Sequence, residues 1–178
     1  MAYDHAPLDR LAALIPPPSS PLFGARAWGD IFSDMGLRLP DDYAAFIERY
    51  GNCQFARWLG ISDMRLLDKD DCARVAQEMD YYREWREEAP EECSLPMWPE
   101  PDGFFPWGST VDGDSIGWMT VGEPEQWPTI VIPHDSEQES AIAETMTQWL
   151  LEWASGNRYR SSLLTQGSAY HPPVCERW

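Results

Sequence analysis

Two aspartates flank a glycine at Asp112-Gly113-Asp114, and paired carboxylates at that spacing can share acid–base work or hold a cation. The neighbouring residues lack the full ligand set of a calcium loop, and Asp-Gly-Asp is also an ordinary turn whose glycine supplies a positive φ. Ser109-Thr110 follows Gly108 without a Gly-x-Ser-x-Gly elbow, and neither a Walker-type nor a dinucleotide glycine loop occurs. His5, His134 and His171 stand at no metal-ligand spacing, and His134, just after a strand-like run, reads as a solvent-exposed loop residue. Cys53, Cys72, Cys93 and Cys175 include no Cys-x-x-Cys pair, which points to free thiols, buried or half-buried. The expectation is no catalytic residue, no metal and no cofactor, with an enzyme as the weaker alternative.

Charge narrows the function classes. Thirty acids face 13 bases, the net charge is −17, and Lys69 is the single lysine. From Glu87 through Glu152 there are 15 acids and no lysine or arginine until Arg158. Such a chain repels phosphate backbones and anionic lipid, so nucleic acid and membrane are excluded as partners. A basic protein partner fits, as does a merely solvated acidic surface. Trp98 lies within the Glu91–Asp102 stretch, and Trp127 lies beside Glu123 and Glu125. A tryptophan among acids is a common composition for a protein-binding hot spot, against the plainer reading that it covers a core edge. The candidate partner-binding residues are Glu91, Glu92, Trp98, Glu100, Asp102, Asp112, Asp114, Glu123, Glu125 and Trp127.

The elements that must position these residues fit one domain in 178 residues. Residues 1–23 read as an N-terminal proline-rich arm, with a short helix at Leu8–Leu14 before Pro16-Pro17-Pro18. Trp28, Ile31, Phe32 and Met35 form a helical stripe stopped by Gly36, and Tyr43, Phe46, Ile47 and Tyr50 form a second, stopped by Gly51. Pro40 takes the first position of that second helix, and Asp41 and Asp42 sit in its first turn, at the positive end of the dipole. Cys53–Trp58 reads as a strand. One helix is predicted from Asp70 or Asp71 to about Glu88, with Cys72, Val75, Ala76, Met79 and Tyr82 inward and Arg74, Glu78, Arg83 and Glu87 outward. Pro90–Asp102 reads as a loop. Phe104–Ile132 reads as an antiparallel meander with strands at Phe104–Trp107, Ile116–Val121 and Thr129–Ile132. A closing helix is predicted from a capping box at Ser136–Glu139, with Ile142, Met146, Trp149, Leu150 and Trp153 inward. Residues 24–157 would then form the domain and 158–178 a C-terminal tail. The fold class is α+β, an antiparallel or mixed sheet with helices packed against it.

Three segments now stand in order across residues 25–157. They are Trp28-x-x-Ile31 through Met35-Gly36-Leu37-Arg38-Leu39-Pro40-Asp41-Asp42-Tyr43-x-x-Phe46-Ile47-x-x-Tyr50-Gly51; Phe105-Pro106-Trp107 through Asp112-Gly113-Asp114 to Trp118; and Met146-Thr147-Gln148-Trp149-Leu150-x-x-Trp153-x-x-Gly156. Together they resemble the SUKH superfamily, also called the Smi/Knr family. It opens with a helix, a Gly-x-x-Leu-Pro step and an acidic tyrosine-bearing helix, then runs through a Gly–Asp turn and an aromatic strand to a closing helix. The resemblance implies a SUKH-like fold and a protein-binding module, not an enzyme. Bacterial members often act as immunity proteins that neutralise a cognate toxin domain, frequently a nuclease or deaminase; other members are regulators. The implied partner is a basic toxin domain met by the acidic surface, in a monomeric cytoplasmic protein. The alternative is a regulatory or scaffold protein with an endogenous cellular partner. The Pro90–Asp102 loop, the proline-rich arm and the tail depart from the family pattern. The opening MAYDHAPLDR, with no basic stretch before a long apolar one, agrees with the cytoplasmic expectation.

Overall fold

The structure is a computed structural model and describes residues 4–134, 138–157 and 174–178. Helix α1 (Ala6–Leu14) is followed by α2 (Trp28–Met35) and α3 (Asp41–Tyr50). Strands β1 (Cys53–Phe55) and β2 (Leu59–Ile61), a 3-10 turn at Met64–Leu66 and helices α4 (Lys69–Glu78) and α5 (Asp80–Glu88) come next. Strands β3 (Phe104–Thr110), β4 (Ser115–Met119) and β5 (Thr129–Ile132) lead to α6 (Met146–Ala154) and β6 (Cys175–Arg177). The strands form one six-stranded sheet in the order β5-β4-β3-β2-β1-β6, with every neighbouring pair antiparallel. The α+β expectation is met. No helix among the described residues is long and apolar enough to cross a membrane.

Because successive strand residues face opposite ways, the sheet divides its apolar side chains between two cores. Phe55, Leu59, Ile61, Phe105, Trp107, Ile116, Trp118 and Val131 join the larger core with α1, α2, α3 and α6. Phe104, Met119, Ile130 and Ile132 join a smaller one with Met79, Cys93 and Met97. The tyrosine stripe works as read: Tyr43, Phe46, Ile47 and Tyr50 are fully buried. Their hydroxyls keep partners, since Tyr43 donates to Ser62 O (2.5 Å) and Tyr50 to Ile15 O (2.7 Å). Gly36 closes α2 in the left-handed region (φ 65°). Gly51 (φ 67°) ends α3 where a Cβ would stand 2.4 Å from Leu22 O.

Several expectations are corrected. The segment set apart as an N-terminal arm is docked, because Leu8, Leu11 and Ile15 are buried in the main core. The described end of the tail is also built in, as β6 pairs with β1 and buries Cys175; residues 158–173 lie outside the described residues. Pro40 is the residue before α3, not its first turn. Cys53–Trp58 holds the turn of a hairpin, with Ala56 and Arg57 both at φ 55°. The long predicted helix divides at Met79 into α4 and α5, and α4 starts from an Asp68/Asp71 capping box. The closing helix starts at Met146, capped reciprocally by Thr145 and Gln148. The described part of the expected earlier start, Gln138 onward, instead runs along β5, where Ile142 and Thr129 exchange backbone hydrogen bonds (2.8 and 2.9 Å). That strip satisfies an edge strand that would otherwise be bare. Ser136 and Glu137 lie outside the described residues.

Candidate functional site

The ten candidate residues separate towards two ends of the sheet. Asp112 and Asp114 sit at the β3–β4 hairpin. The buried Asp114 accepts from Thr110 Oγ1 (2.6 Å) and from His134 N (3.1 Å), and its Oδ1 lies 2.7 Å from His134 Nδ1. Asp112, exposed, accepts from Trp58 Nε1 (2.6 Å). The two carboxylates therefore serve different partners and do not face a common site. An imidazole held by a carboxylate is what general-base chemistry uses. Here the same carboxylate also ties Thr110 and the backbone of His134, stapling the hairpin to the end of β5. Asp114 is thus buried, not presented to a partner. Among the described residues no group of three His, Cys, Asp or Glu could hold a metal ion. All four cysteines are buried and free.

The opposite end of the sheet gathers the residues before β3 with the β4–β5 loop. Thr120 donates from both N and Oγ1 to Gly103 O (3.0 and 2.9 Å), which sets Asp102 beside that loop. Glu100 is clasped by Arg86 (2.9 and 3.1 Å) and by Arg83 (3.3 Å), and the Arg86 guanidinium holds its carboxyl below the usual range. Trp98 is half-buried, edge-on to Phe105 at 5.4 Å. Trp127 is buried, 6.0 Å from Trp118, and donates to Gly122 O (3.2 Å). Both tryptophans therefore cover core edges; Trp178, half exposed and laid on Gly60, is the more open one. Glu91 and Glu92 lie exposed beyond α5, and Glu92 accepts from Trp85 Nε1 (3.2 Å). Glu91, Asp102 and Glu123 are exposed and pair with no base among the described residues.

Glu123 and Glu125 border a cavity of about 420 Å³ whose apolar walls are Pro40, Trp118, Pro124, Trp127 and Met146. Asp4 and Asp42 complete its acidic rim. Three helix starts meet there, each capped by one of these carboxylates. Asp4 accepts from Ala6 N at α1 (3.0 Å), and Glu125 accepts from Asp41 N at α3 (3.1 Å). Asp42 accepts from Thr147 N (2.9 Å) and Thr147 Oγ1 (2.5 Å) at α6. An anion at a helix start satisfies free N–H groups and the dipole together. Sequence reasoning placed Asp42 in the first turn of its own helix, but its cap on a helix 105 residues away has no local signature. A second cleft, about 440 Å³, opens between α4 and the sheet beside Met64, Val75, Met79 and Pro106.

A family model described as SMI1-KNR4 cell-wall, of the SUKH group, matches residues 30–150. The chain belongs to the SMI1-KNR4 family. No curated protein and no solved structure matches it. The matched span runs from α2 into α6, so α1 and β6 lie outside the stretch that defines the SMI1-KNR4 domain while completing its core and sheet. SUKH proteins are generally binding modules for other proteins, and among the described residues exposed acids with no base partner include Asp30, Glu84 and Glu88 as well as Glu91, Asp102 and Glu123.

Proposed function

We propose that this protein is an immunity protein that neutralises a basic bacterial toxin domain, of nuclease or deaminase type, by covering it with the acidic end of its sheet. The observation that carries the reading is the pairing state of the acids. Asp102 and Glu123, with Glu91 further along the surface, stay exposed with no base partner among the described residues, in a stretch that has no lysine or arginine from Glu87 to Glu152. A nuclease must be basic to hold its phosphate substrate. A carboxylate surface competes for that groove, and opposite fields accelerate the encounter. The role of Trp98 is to hold the Glu100–Asp102 segment against the sheet.

Co-expression with a toxin encoded beside it tests the reading: restored growth is expected. The association rate with the purified toxin should fall as salt rises. Failure to protect would overturn the immunity reading in favour of a regulatory or scaffold role. An association rate indifferent to salt would remove electrostatic steering.

A further inference from the structure

We infer that the cavity beneath the β4–β5 loop is a socket for one arginine side chain of the partner protein, an inference that rests on the protein-binding reading above. The cavity walls are apolar and largely buried: Trp118, Trp127, Pro40 and Met146 are all less than a tenth exposed. Its volume, about 420 Å³, suits a single side chain and not a second element of structure. An apolar hollow alone would take any aliphatic or aromatic group. What selects the occupant is charge, because Asp4, Asp42, Glu123 and Glu125 line the cavity and, among the described residues, no lysine or arginine does.

The balance survives its internal offsets. Three helix starts contribute about half a positive charge each, and Arg38 pairs with Glu125 from outside the lining (3.1 Å). These offsets are smaller than the charge of four carboxylates. The capping bonds also fix Asp4, Asp42 and Glu125 in place, so little ordering remains when a cation enters. Among the described residues Glu123 is the one lining carboxylate without a bond from its side chain to the protein, and it stands at the mouth, exposed. An arginine suits such a hollow better than lysine. Its stem lies along proline and tryptophan, its planar head stacks on an indole, and its fork meets a carboxylate with two hydrogen bonds.

The test uses the full chain and two small probes. N-acetyl-arginine amide carries the charged fork, and N-acetyl-citrulline amide has nearly the same shape without the charge. The readout is the indole N–H signal of Trp127 by NMR during titration. Saturable movement with the arginine probe is expected, with at least about tenfold weaker binding of the citrulline probe and a several-fold loss in Glu123→Gln. Among the described residues the Glu123 side chain bonds to no other, so this variant keeps the fold. Equal response to both probes, no saturable movement, or indifference to Glu123→Gln would each overturn the socket. Co-expression rescue is read separately. Lost protection with arginine binding intact counts against the immunity reading alone, and full protection without arginine binding counts against the socket alone.

Discussion

The two faces of the sheet are covered by different means. On one, α1, α3 and α6 bring a continuous aromatic core: Phe46 stacks on Tyr50 at 4.6 Å, and Trp107 meets Trp118 and Trp149 at 6.3 and 5.8 Å. On the other, the cover is α5 with the Met79 before it and the segment 90–103, whose apolar contribution is smaller: Met79, Cys93 and Met97, with Tyr82, Trp85 and Leu95 half-buried, while Cys72 and Val75 of α4 join the larger core. What fastens that second cover is polar. Arg83 and Arg86 clasp Glu100, Arg83 donates to Trp98 O (2.6 Å), and Arg86 donates to Leu95 O (2.9 Å). Apolar burial holds its strength across salt and mild pH, whereas charge-held cover responds to both. The candidate binding end of the sheet adjoins the second kind of cover.

Truncation should separate the faces most sharply. Trp149→Ala removes a fully buried ring between α6 and the sheet and should cost about 3–5 kcal/mol. Trp85→Ala removes a half-buried ring from the other cover and should cost about 1–2 kcal/mol. Urea midpoints of the two variants measure this. Equal costs would mean that the faces are equivalent in stability.

That contrast also explains what was legible in sequence. The stripes of α2 and α3, the strands β4 and β5 and the Asp112–Asp114 turn follow from periodicity and turn chemistry, which act over a few residues. The capped start of α6 was misplaced because Ser136–Glu139 offers the same local chemistry as Thr145–Gln148. Tertiary context decides between them: Asp42 at Thr147, and a β5 edge that needs partners. The docking of α1 and β6 was hidden because proline runs and short strands carry weak local signals. Of the candidate site, the acids on exposed turns were readable from the charge run. The burial of Trp127 and Asp114 was not, since it depends on Trp118 and His134 from other strands.

A smaller effect is expected at the junction that joins the aromatic face to the binding end. Asp42→Ala deletes the two hydrogen bonds from Thr147 in a buried setting, while the Thr145–Gln148 capping box stays in place. The cost should be about 2–3 kcal/mol. Asp42→Asn keeps the shape and one acceptor, and should recover part of it. Thermal unfolding of the pair measures both. If Asp42→Ala costs nothing, the helix start is satisfied without it, and the cavity floor is less rigid than its geometry implies.

The smallest expected effect concerns acid. Glu100 has a folded pKa below its unfolded value, chiefly through the hydrogen bond from Arg86. Its contribution to stability is therefore fully present above the unfolded value of about 4.3 and is lost as pH falls through the lower folded value. About a third of the side chain is exposed, so water screens the pair and holds the contribution below about 1 kcal/mol. Global acid unfolding would bury this term under the chain's other carboxylates, so the useful readout is local. Protection at the Trp98 and Gly103 amides, whose N–H groups bond Phe104 O and Glu100 O, should fall below about pH 4 when each rate is taken relative to intrinsic exchange at the same pH. In Glu100→Gln the exchange should already be faster at neutral pH, with a smaller further change on acidification. Tyr50 and Trp149, on the aromatic face, should keep their protection over the same window. If both faces lose protection together, segment 90–103 opens only when the whole fold does, and the charge clasp is not what distinguishes the two covers.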